Sequence, residues 1–166
     1  ADRETGIAVE IYHGAHGRLE DNATIRTFIP MTIDGKASLL AGFTCTPLVR
    51  FPVSGVDAGS KTRGTTLAEL GNRNSPLDMF LYEQNGEKFL LVSNTARGVM
   101  KVSLKDIGRD EGITEPVRTP SGTAGQSYET IGELEGTVQM DRLGENQAVV
   151  IVKKGEELTL QTVPLP

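Results

Sequence analysis

Tyr12-His13-Gly14-Ala15-His16-Gly17 contains the only two histidines of the chain, three positions apart. Neutral imidazole is a common ligand for zinc, copper and iron. A loop flanked by glycines can curl so that two such rings reach one ion. The single Cys45 would add a soft thiolate, giving a His2Cys set compatible with copper. His13, His16 and Cys45 are therefore the candidate metal ligands, and copper, iron or zinc the candidate cofactor. The competing structural reading is a polar surface turn at the histidines and a small buried hydrophobe at Cys45.

A second group could hold an anion. Gly71-Asn72-Arg73-Asn74-Ser75-Pro76 and Asn94-Thr95-Ala96-Arg97-Gly98 bring guanidinium and amide donors into loops, and an arginine fork suits carboxylate or phosphate. Arg73, Asn94 and Arg97 are the candidate ligand-binding residues. Turn chemistry alone also accounts for Asn and Gly at these places. Asp78, at a strand start, is either a general base or a holder of backbone N–H groups. Glu20-Asp21-Asn22 reads as a solvated turn without the alternating acidic spacing of a calcium loop. Two histidines define no Ser-His-Asp order, and no dinucleotide or P-loop motif is present.

The elements that would carry these residues recur. Gly35-Lys36-Ala37-Ser38-Leu39-Leu40, Gly86-Glu87-Lys88-Phe89-Leu90-Leu91 and Gly144-Glu145-Asn146-Gln147-Ala148-Val149 each precede an alternating apolar stretch. Asp34-Gly35 and Asn85-Gly86 are hairpin turns. Strands are expected over 25–33, 37–43 and 48–53, over 77–82, 88–93 and 99–104, and over 138–142, 148–152 and 158–163. Thr66 to Gly71 and Thr130 to Gly136 recur as fourth, outer strands. Ile7 to Tyr12 is a further strand, either the tail of an earlier blade or an N-terminal edge strand. Residues 104–110 offer the best short helical turn. The long polar connection 108–126 exceeds an ordinary loop and suggests a functional or partner-covering segment.

Repeats with several strands per unit point to propeller blades. The stretch Asn85-Gly86 through Leu91-Val92-Ser93-Asn94 to Val102-Ser103-Leu104 resembles blades of the broad NHL and quinoprotein-like propellers. The expected fold is all-β, with about three four-stranded antiparallel blades forming part of a β-propeller. Its repeats lie near 24–71, 75–136 and 137–166 of one domain, 1–166. The resemblance implies a fold and transfers no catalytic residue. It also suggests a ligand end, where topology gathers His13, His16, Cys45, Arg73, Asn94 and Arg97.

About three blades fall short of a ring of about 4–8. A second chain, or a second copy of this one, would then complete the propeller. The expected function is a binding or scaffold subunit of a larger secreted or periplasmic assembly. The alternative is part of a metal-dependent oxidoreductase with its centre on the propeller axis. Chain processing, by leader removal or precursor cleavage, would explain the start at Ala1 and suits a periplasmic or extracellular location. The net charge of −5 and the lack of a basic cluster exclude a nucleic-acid partner. No apolar run is long enough for a membrane span.

Overall fold

The computed structural model describes residues 6–54 and 57–166. The chain is all-β, with sheets of three to five strands, and among the described residues no sheet closes on itself. The first hairpins follow from their turns. Asp34 and Gly35, then Asn85 and Gly86, all take positive φ (47°, 74°, 54° and 77°), as a two-residue turn between twisted strands requires.

The first large sheet contains β3 (Ile25–Ile33), β4 (Lys36–Phe43), β5 (Pro47–Pro52), β7 (Thr65–Leu70) and β11 (Thr123–Gly125), in the order β11-β7-β5-β4-β3. The second contains β8 (Pro76–Gln84), β9 (Glu87–Asn94), β10 (Val99–Ser103) and β12 (Tyr128–Ile131), in the order β12-β10-β9-β8. The last contains β13 (Thr137–Leu143), β14 (Gln147–Lys154) and β15 (Glu157–Pro164). Pairing within these three is antiparallel. A small N-terminal sheet joins β1 (Ala8–His13), β2 (Arg18–Glu20) and β6 (Lys61–Arg63), and its β1–β6 pair is parallel.

β3 runs beside β8, and β8 beside β13. The sheets therefore stack face to face with their first strands adjacent. One core lies between the first and second sheets, where Leu40, Leu48 and Leu67 meet Leu90, Val92, Met100 and Val102. Another lies between the second and last, where Phe80, Tyr82 and Leu91 meet Met140, Ala148, Val150 and Val152. The N-terminal sheet packs Ile11 and Val9 onto Phe43, Val49 and Phe51, on the first sheet's other face.

Three expectations change in detail. The outer strand expected through Gly136 ends at Ile131, and Gly132–Leu134 forms a 3-10 turn that buries Leu134. Residues 104–110 form turns and no α-helix. The third sheet has three strands among the described residues where four were expected, and the first has five. The fifth strand comes from the long connection. Ile113 N–H donates to Thr66 O (2.8 Å), β11 pairs with β7, and Gln126 N–H donates to Leu67 O (3.1 Å). The segment thus covers the edge of β7, which would otherwise offer unpaired backbone groups.

Both ends of the stack stay apolar and open. On the first sheet Ile25, Phe28 and Val53 join Ile7 around a groove of about 260 Å³, with Phe28 58% exposed. On the last sheet Leu158 and Leu160 are 63% and 69% exposed. Register places Leu160 beside Ile151 and Thr162 beside Val149 on that outward face, whereas Thr159 and Gln161 pair with the inward Val152 and Val150. β15 therefore turns Leu158 and Leu160 outward, while Thr159 and Gln161, on its other face, are exposed as well. A strand with one covered face ordinarily points its leucines to the core.

Candidate functional site

The β1–β2 hairpin brings together three groups. His13 is opposite Arg18 and Ile11 opposite Glu20, so His13 and Glu20 are diagonal neighbours on one face. The four-residue turn between the strands closes with Gly17 N–H donating to His13 O (2.8 Å), and Gly17 has φ +67°. This swings His16 over the same carboxylate. His13 Nδ1 lies 2.8 Å from Glu20 Oε2, and His16 Nδ1 lies 2.7 Å from Glu20 Oε1. The two rings stack with centroids 3.8 Å apart. Arg18 Nε donates to Glu20 Oε1 at 3.0 Å.

Burial differs sharply within the trio. His13 is 1% exposed, and its Nε2 has no hydrogen-bond partner among the described residues. The His16 side chain is 44% exposed. Burial pushes the Glu20 carboxyl up. Hydrogen bonds from His13, His16 and Arg18 outweigh it and hold the group at about 2. Glu20 is thus an anion throughout the neutral range.

A second carboxylate lies behind the hairpin. Glu69 on β7 is 1% exposed. It accepts from Gly14 N–H and from the Thr46 hydroxyl, each at 2.6 Å. Burial pushes its pKa up, against the opposing pull of these donors and of the nearby His13. Glu69 locks the histidine loop to the β4–β5 turn and to the fourth strand of the first sheet. The histidines accordingly stand beside β7, three strands away from the adjacent first strands β3, β8 and β13.

The other expected site residues fall nearby but separately. Leu70 N–H donates to Thr46 O, and the Arg97 guanidinium covers Gly71. The 13–17, 44–47 and 94–98 loops therefore share one end of the first two sheets. Cys45 is exposed in the β4–β5 turn with φ +67° and lies outside the histidine cluster. Asn94 is buried and donates to Val92 O (3.1 Å) and Gly98 O (3.2 Å), while accepting from Asn74 (3.1 Å). Arg97 Nη2 donates to Ser121 O at 2.9 Å. Arg73 is exposed, at φ +56° in its turn. Asn94 and Arg97 satisfy backbone carbonyls here. Asp78 holds backbone groups, accepting from Met79 N–H and Met140 N–H, each at 2.9 Å.

Comparison with protein-family models, curated proteins and solved structures found no match. The chemistry therefore rests on the residues themselves. Glu20, read from sequence as part of a solvated turn, is largely buried and stands between both imidazoles. Its sequence signal is the alternation Arg18-Leu19-Glu20 directly after a glycine-closed turn, which returns residue 20 to the face of His13. Glu69 carries a weaker signal, a lone acid in the apolar strand Thr65–Leu70.

Proposed function

We propose that this chain is a binding or scaffold unit that supplies consecutive blades to a larger β-propeller. One observation carries the reading: the sheets at both ends of the stack turn large hydrophobic side chains to solvent. Contiguous apolar patches rimmed by polar residues mark interaction surfaces. The inverted strand β15 is the strongest case, because its leucines gain burial only from a neighbour on the open side.

The complement is a further β-sheet stacked in the same manner. Three further features favour this reading. The first strands β3, β8 and β13 are adjacent, as the inner strands of neighbouring blades would be. Thr65–Leu70 and Tyr128–Ile131 form fourth strands in their sheets. The N-terminal sheet covers Phe43, Val49 and Phe51 but leaves Phe28 on β3 open, as the outer part of an incomplete blade would.

A second copy is the simplest partner. The two end faces differ, so the contact is head-to-tail, and it must close a ring to avoid an open filament. Two copies would give about six to seven blades, within the usual ring of about 4–8. Sedimentation of the chain at micromolar concentration tests this. The expected species has about twice the 17.8 kDa mass of one chain. Phe28→Asp or Leu160→Asp, on opposite faces, should each return it to a monomer. A folded monomer throughout that concentration range overturns the second copy as partner.

A further inference from the structure

We propose that His13, His16 and Glu20 hold a divalent transition metal of the zinc class, in a three-ligand site whose fourth position opens to solvent. Potential ligand atoms of the three residues lie within 4.8 Å of one another. The two imidazole-to-carboxylate separations are 2.8 and 2.7 Å. Metal bonds of about 2.0–2.1 Å in a tetrahedral site set ligand atoms roughly 3.3 Å apart. An ion would widen these two imidazole-to-carboxylate pairs by about half an ångström.

The donor set selects the ion. Two imidazoles and one carboxylate suit zinc, with copper and nickel as competitors, and disfavour magnesium, which prefers oxygen ligands and retained water. Three protein ligands leave a fourth position for water or a small anion. The exposed side of His16 provides access to it.

His13 is buried and its Nε2 lacks a partner, and such an orphan in a folded interior calls for an explanation. While Nδ1 donates its proton to Glu20, Nε2 is a bare lone pair. Ligation through Nδ1 would put the ring proton on Nε2, for which no described residue offers a hydrogen-bond partner. An ion there would sit against the Glu20 carboxylate, on which Arg18, with its side chain 70% exposed, is the fixed charge.

The site is independent of the blade assembly and is tested separately. The full chain, stripped with a chelator, is titrated with zinc against a chromophoric competitor, with magnesium as control. One equivalent of zinc should bind and magnesium should not. His16→Ala, at an exposed position, and Glu20→Gln, which keeps the shape, should each weaken zinc by at least tenfold. Cys45→Ser should leave it unchanged. Circular dichroism checks that the variants fold, and Nδ1 ligation should show in the imidazole 15N shifts of the natural chain. No zinc uptake by the natural chain overturns the proposal. So does undiminished affinity in either folded variant, or loss of binding in Cys45→Ser.

Discussion

The second and last sheets are built from the same hairpin pattern and meet different surroundings. β9 lies between two cores. Leu90 and Val92 face the first sheet and Leu91 faces the last, and all three are fully buried. β14 has one core, with Ala148, Val150 and Val152 inward and Val149 and Ile151 on the open face. The strand sequences record the difference. Phe89-Leu90-Leu91-Val92 is continuously apolar, as burial on both faces demands. Leu158-Thr159-Leu160-Gln161 alternates, but with its apolar side facing out.

Substitutions can break this comparison. Leu91→Ala, within the doubly covered sheet, should destabilise the chain by about 2–5 kcal/mol in denaturant melts, because the cavity cannot drain to solvent. A loss below about 1 kcal/mol would mean that the core between the second and last sheets is loose. A smaller effect is expected at the seam. Asp78→Ala deprives the Met140 N–H of its acceptor across the two sheets. It should cost about 1–3 kcal/mol. Amide exchange should rise in β13 and β14 before it rises in β4. Uniform acceleration would show that Asp78 serves its own strand rather than the seam.

The smallest effect separates the end face from the interior. Leu160→Ala in a monomeric background such as Phe28→Asp should shift stability by no more than about 0.5 kcal/mol. A large loss there would mean that Leu160 supports its own sheet and is not kept for a neighbour. The same residue type thus tests opposite roles at positions 91 and 160.

Much of the strand order was legible in the sequence. Asp34-Gly35 and Asn85-Gly86 fix their hairpins through the residues that tolerate positive φ, and apolar periodicity marks the strands on either side. The short strands β2, β6 and β11, of three residues each, carry too little periodicity to be seen. β11 is defined by a partner far away in the chain, not by its own composition. The candidate site was half legible. Rarity singles out His13 and His16, but Glu20 becomes a neighbour only once the turn folds back. Cys45 has the chemistry of a ligand, but its backbone serves a tight turn whose next residue, Thr46, reaches Glu69.

The strap over β7 has a consequence for the order in which the protein is made. β7 ends at Leu70, yet the strand that seals its edge begins at Thr123. During synthesis the first sheet therefore waits, with one flank unpaired, while the whole second hairpin emerges. At about 5–20 residues per second this interval is on the order of several seconds. An open strand edge is a template for pairing with other chains. The nascent protein is thus most vulnerable to misassembly before residue 126 leaves the ribosome. From then on β11 closes the edge of β7 and β12 pairs with β10, so that one late segment completes both sheets.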